Sequence, residues 1–160
     1  GHGWTVYDAA GIRILVMNLL GTVFMEPLAS PFETADAILE KCRGGYDIAL
    51  VDFHAEATSE KLALARYLTG RVSAVWGTHT HVATADCRIL GGHTGFITDL
   101  GMVGSADGIL GVKSEAVLHK FLVKTPVRFE TEHGNEGASG ALFTVDCESG
   151  KCISAESVSF

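Results

Sequence analysis

The sequence has few cysteines, no run of basic residues and no long apolar segment, and each shortage removes a class of protein. Four cysteines, Cys42, Cys87, Cys147 and Cys152, are too few and too scattered to staple a disulfide scaffold. Cys147 and Cys152 flank Glu148-Ser149-Gly150-Lys151, a turn across which they would face each other. Nothing else in the composition marks an exported protein, so free thiols and a cytoplasmic location are expected. A zinc site from cysteine alone is disfavoured, because the spacing supplies only two thiolates.

Twelve Lys and Arg against 19 Asp and Glu give a net charge of −7. No Lys/Arg cluster with interleaved aromatics occurs, which argues against an extended nucleic-acid partner. A small phosphate ester stays a candidate ligand if bound metal supplies positive charge locally. The longest apolar stretch, Ile12 to Phe24, is broken by Arg13, Asn18 and Gly21 and is too short to span a bilayer. No membrane partner is expected, no signal peptide is visible, and the chain opens Gly1-His2-Gly3-Trp4 without methionine.

What is present suits a single folded unit. Hydrophobic residues make up 47% of the 160 and charged residues 19%, enough to bury a core of about one domain. No repeat or internal linker divides the chain. Trp4 to Tyr7 and Ile12 to Asn18 read as strands joined by a turn at Asp8-Ala9-Ala10-Gly11. Ser30-Pro31-Phe32-Glu33 reads as a capped helix start, with Phe32, Ala35, Ile38, Leu39 and Cys42 as its apolar stripe and Gly44-Gly45 at its end. Ser114-Glu115 opens a later helix whose buried side would be Val117, Leu118, Phe121 and Leu122, with Pro126 beyond it. Ile89-Leu90 and Gly95 to Thr98 suggest short strands around a Gly91-Gly92 turn, and Gly101 to Gly111 suggests a loop over strand ends. Val127 to Glu132, Gly140 to Asp146 and Ile153 to Val158 read as an antiparallel set.

The most informative stretch is Asp52 to His81. Ile48 to Val51 and Val72 to Trp76 are short apolar runs of the kind found in parallel strands buried on both faces. Between them Thr58-Ser59-Glu60 has the character of a helix start, Leu62, Ala65 and Leu68 make a stripe, and Gly70 can end it. This is a βαβ unit, and it delivers His54, His79 and His81 to the carboxyl ends of strands, where ligands of open α/β sheets collect. In an extended segment His79 and His81 would share a side. Converging neutral imidazoles suit a divalent transition metal, with Asp52 or Asp99 as carboxylates able to hold their outer N–H groups. His2, His93, His119 and His133 lack partners at ligand spacing and read as structural.

Asp52-Phe53-His54-Ala55-Glu56-Ala57-Thr58-Ser59-Glu60-Lys61, Gly77-Thr78-His79-Thr80-His81-Val82 and Thr84-Ala85-Asp86 together resemble the bacterial calcineurin-like metallophosphoesterases that include the 2′,3′-cyclic-nucleotide 2′-phosphodiesterases. The likeness continues through Ile97 to Met102 and Asp107 to Gly111. It implies an α/β fold like the second half of a four-layer αββα sandwich. It also implies hydrolysis of a small phosphodiester, in particular a cyclic nucleotide, at a centre of two divalent transition metal ions, iron or manganese, with zinc as a further candidate. His54 and His79 would ligate one ion and His81 the other. The family's Gly-Asp, Glu-Asn and Gly-Asn-His motifs have no match here, nor does its bridging carboxylate. Residues 1–160 are therefore expected to be a single partial domain whose amino-terminal half is missing, inactive alone, with its catalytic residues unassigned and a homo-oligomer left open. From chemistry alone, a mononuclear zinc hydrolase and a non-catalytic regulatory or scaffold domain stay as alternatives.

Overall fold

Asp8 turns the chain early: its carboxylate accepts the Gly11 N–H at 2.8 Å, and β1 (Trp4–Ala9) folds back on β2 (Ile12–Leu20). In the computed structural model, which describes residues 1–160, β2 is the first of four parallel strands. The others are β3 (Ile48–His54), β4 (Ala74–Thr78) and β6 (Thr94–Ile97). The antiparallel β5 (Arg88–Leu90) closes the far edge, giving the order β1-β2-β3-β4-β6-β5.

The two crossover helices lie where the sequence patterns placed them. Helix α1 (Pro31–Lys41) starts on Pro31 and buries Ala35, Ile38 and Leu39. Ser30 occupies the cap position but makes no side-chain cap bond, so the start rests on proline geometry and the first-turn Glu33. Helix α2 (Thr58–Leu68) likewise has no side-chain cap. Its buried face is Glu60, Lys61, Leu64, Ala65 and Leu68, with Leu62 only partly covered, so the face is turned from the expected stripe.

Both helices pack on one face of the six-stranded sheet. Strand alternation sends Leu15, Met17, Leu19, Val51, Phe53 and Val75 to that side, where they share one core cluster with Ala35, Leu39, Leu64 and Leu68. The other face carries Val16, Asn18 and Leu20, in register with Leu50, Asp52 and His54, and none of these six is fully buried. The reading of Ile48 to Val51 and Val72 to Trp76 as buried on both faces holds at Ile48 and from Val72 to Val75 and fails at Leu50 and Trp76, which are only partly buried.

Towards β6 that second side is covered. Strands β7 (Val103–Ser105), β8 (Glu136–Val145) and β9 (Cys152–Ser159) form an antiparallel sheet, and β9 lies against β5 and β6. Gly95 permits the approach, since a Cβ there would stand 2.5 Å from the Phe143 ring and 2.8 Å from the Cys152 sulfur. The result is an α/β fold of helices, mixed sheet and a smaller antiparallel sheet, as the resemblance implied.

Three local expectations change. The Gly101 to Gly111 segment contains β7, and Val127 to Glu132 forms no strand, making only a single bridge from Thr131 to Val112. Helix α3 (Ser114–Val123) buries Val117 alone, while Leu118, Phe121 and Leu122 are 51%, 74% and 79% exposed. All four thiols are free, with Cys152 buried and Cys147 exposed in the turn between β8 and β9.

Candidate metal centre

His54 is the last residue of β3 and pairs in register with Thr78, the last residue of β4. Parallel pairing of two strands that end level therefore sets the imidazole beside the hydroxyl, with His54 Nδ1 3.0 Å from Thr78 Oγ1. The next residue, His79, brings its Nδ1 to 3.0 Å from His54 Nε2, and the rings meet edge to face at 76°. On the far side of His79, Nε2 lies 2.7 Å from Glu56 Oε2.

Proton accounting orients this chain of contacts. A carboxylate only accepts, so His79 Nε2 carries the hydrogen toward Glu56. In neutral imidazoles His79 Nδ1 is then a bare acceptor, His54 Nε2 donates to it, and Thr78 donates its hydroxyl to His54 Nδ1. One proton lies between two ring nitrogens that face each other.

The histidine segment is not an extended strand. His79 has φ 122° and His81 φ 64°, a region that non-glycine residues rarely adopt and that the surrounding structure must enforce. The enforcing group is Asp99. Its Oδ2 accepts the Thr80 N–H at 3.0 Å and the Lys61 ammonium at 2.8 Å, and its Oδ1 accepts the Gly101 N–H at 2.9 Å. The Lys61 and Asp99 side chains are 1% and 0% exposed. Burial would push the Asp99 carboxyl up, but the ammonium and the two amides outweigh it and hold the group below the ordinary aspartate value.

Gly77 makes this pair reachable. A Cβ at Gly77 would stand 1.8 Å from the Thr98 carbonyl oxygen and 2.8 Å from the Lys61 stem. The missing side chain is the passage by which Lys61, from helix α2, crosses β4 to reach Asp99.

The geometry revises three sequence readings. The segment from His79 to His81 is not extended, and His81 makes no hydrogen bond to the pair: its Nδ1 lies 3.4 Å from the Leu110 carbonyl oxygen, while both rings border one cleft. Asp52 does not hold His54; it accepts from Asn18 Nδ2 at 2.8 Å, and its second oxygen is buried without a partner. Asp99 holds the backbone between the histidines rather than an imidazole. Of the other histidines, His119 bonds Thr125 and His93 leaves a buried Nδ1 unpaired, so neither joins the centre.

Glu56 and Lys61 are the contributors that pattern reading missed as such. Lys61 had a visible signal, because it lies three and seven residues before Leu64 and Leu68 on an apolar helix face. Glu56 had none beyond nearness, because its contact with His79 depends on how the chain leaves β4.

No three His, Cys, Asp or Glu side chains form a metal-holding group within residues 1–160. The pair itself fits one ion. Two imidazole nitrogens bound to a common ion at about 2.0–2.1 Å stand roughly 3.0–3.4 Å apart at ordinary coordination angles, and the two facing nitrogens are 3.0 Å apart. Glu56 and Thr78 supply the outer partners that keep ligating imidazoles oriented.

The α/β fold is shared with solved structures, one of them described as a phosphatase. Superposition gives a TM-score of 0.91 on a Mycoplasma pneumoniae protein described as a novel phosphatase, at 34% identity over 99% of this chain and 57% of that one. A Thermus thermophilus protein described as hypothetical gives 0.92 at 38% identity over 99% and 61%. The YmdB-like protein family matches residues 1–158, and the chain belongs to that family. Among curated relatives, the Bacillus subtilis (strain 168) protein named 2′,3′-cyclic-nucleotide 2′-phosphodiesterase is 45% identical over 158 residues, 99% of this chain and 60% of its own length. The chain thus spans about three fifths of the curated relatives it matches.

Proposed function

We propose that this chain is the histidine-bearing part of a metal-dependent phosphodiesterase whose whole form hydrolyses 2′,3′-cyclic nucleotides. The observation that carries the reading is the His54–His79 pair, two facing nitrogens 3.0 Å apart with a carboxylate on the outer nitrogen of one ring. Family membership and the name of the Bacillus subtilis relative support the substrate class.

His54 and His79 would hold one divalent ion, and His81, from its separate position, would serve a second. Bound ions would lower the pKa of water and neutralise charge on the phosphoryl oxygens. The chain's own part is orientation. Glu56 takes the outer N–H of His79 and Thr78 meets the outer nitrogen of His54, which would keep both rings oriented toward a bound ion. The Lys61–Asp99 pair holds the strained turn that carries His79 and His81.

Three neutral ligands do little to offset repulsion between two dications; a carboxylate bridge normally does so. The proposal therefore places the bridging carboxylate and further oxygen ligands in residues outside the 160, and makes the isolated chain inactive. Iron or manganese at the centre and a cytoplasmic location belong to the same proposal.

The test compares residues 1–160 with a version carrying the upstream coding sequence, assayed with manganese or iron on a 2′,3′-cyclic nucleotide. Turnover only in the longer protein, lost in His79→Ala, and two ions per chain by metal analysis are expected. Equal turnover in the short chain, or one ion per active chain, would overturn it, the latter in favour of a mononuclear hydrolase.

A further inference from the structure

Beside the histidines lies a cleft of about 340 Å³, within the roughly 300–1,000 Å³ of small-molecule sites. His79 and His81 line one end, and Leu110, Val117, Phe121 and Phe129 line the rest. Lys120 is at the cleft with its ammonium 4.9 Å from the Phe129 ring centre. No carboxylate, amide or hydroxyl side chain is among the lining groups. The walls come from three stretches of chain: the turn after β4, the segment around Leu110, and helix α3 with the irregular strip after it.

We infer that this cleft seats the planar heteroaromatic base of the substrate, held by apolar and ring contact and not by reading its hydrogen-bonding edge. The inference rests on the phosphodiester reading and deepens it. A nucleotide has an anionic end and a flat apolar-faced end, and the cleft has matching parts: the histidines, where bound metal would supply charge, and Phe121 and Phe129 for a ring, with Lys120 against Phe129. Aromatic side chains bind every base by its π-face, so stacking alone does not discriminate among bases. Discrimination needs side-chain donors and acceptors aimed at the base edge, and apart from His79, His81 and Lys120 none lines the cleft. The site should therefore accept purines and pyrimidines alike, with a modest purine preference from the larger ring area.

It also accounts for Phe121, which is 74% exposed on a helix that buries only Val117. Bound base would cover it.

The test uses residues 1–160 without added metal, titrated with adenosine, uridine and ribose and followed by protein NMR shifts. None carries a phosphate, so failure of the hydrolytic reading leaves this measurement intact. Expected are saturable shifts at Leu110, Val117 and Phe129 with both nucleosides, affinities within about threefold of each other, and no binding of ribose. In Phe121→Ala/Phe129→Ala, adenosine affinity should fall about tenfold or more. Both positions are partly exposed, and an unchanged unfolding midpoint would confirm an intact fold. Binding of ribose as strong as adenosine, adenosine affinity unchanged in the double variant, or no saturable binding would overturn the inference. So would a wild-type chain that sediments as a dimer, becomes monomeric in the double variant and ignores adenosine, because a second copy would then fill the cleft.

Discussion

The two faces of the six-stranded sheet are made by the same strands yet differ in almost every property. On β3, Val51 and Phe53 face the helices at 0% exposure, while Asp52 and His54, their immediate neighbours, face the other way and stay partly open. The helix side is filled with aliphatic side chains. The open side carries the Asn18–Asp52 hydrogen bond, an unpaired buried carboxylate oxygen and the first ligand-type histidine. Stability and chemistry are thus separated by strand alternation, which lets one short sequence serve both.

That contrast sets an order of expected effects. Phe53→Ala, on the covered face, should lower unfolding free energy by about 3–5 kcal/mol, because it removes a fully buried ring and leaves a cavity. Denaturant unfolding at constant slope checks it, and a loss below about 1 kcal/mol would mean that the helices do not pack as described. Lys61→Met should be comparable, about 3–5 kcal/mol, because it leaves Asp99 charged and unpaired inside the protein. Replacing both members together by apolar residues should recover part of that loss, and a double-mutant cycle would show it.

Gly77→Ala should cost at least about 1–3 kcal/mol, since the added carbon meets the Thr98 carbonyl and the Lys61 stem. It should also shift the NMR signals of His79, because the passage for Lys61 narrows. A crystal structure of the variant with Lys61–Asp99 intact at 2.8 Å would break this argument.

Acid should unfold the protein partly through Asp99. Its carboxyl lies below the ordinary value in the folded state, so its contribution is fully present above about pH 3.9 and is lost as pH falls through the depressed folded value. Asp99→Asn, if folded, should flatten the dependence of the urea midpoint on pH below about pH 4 while lowering stability at pH 7. An unchanged slope would assign acid sensitivity to other carboxylates.

The smallest stability effect should fall on the open face. His54→Ala removes two hydrogen bonds at a partly exposed site and should lower stability by about 1–2 kcal/mol or less, while binding of one added manganese or iron ion, read by calorimetry, should disappear. A loss as large as that of Phe53→Ala would erase the distinction between the faces.

Much of this fold is local in origin. The Asp8–Gly11 turn, Pro31 at the start of α1, the apolar runs of β3 and β4 and the placement of His54 and His79 at strand ends follow from short-range pattern, because period, caps and turn residues act within a few positions. The readings that failed concern contacts between distant segments. Leu118, Phe121 and Leu122 have a helical apolar period, but only the packing of the rest of the chain decides whether such a stripe is covered. Val127 to Glu132 has strand-like composition, yet a strand needs a neighbour at its edge and this segment finds only one bridge.

The centre divides in the same way. The sequence by itself determined the two βαβ strands, their level endings and the imidazoles delivered there. Tertiary structure decided the rest: the backbone after Thr78 takes positive φ at His79 and His81, and a carboxylate 19 residues beyond Thr80, paired with a lysine from helix α2, binds the Thr80 amide. A residue pattern is periodic only while the backbone is regular, so where the strand ends and long-range hydrogen bonds take over, side-chain direction can be known only from the fold.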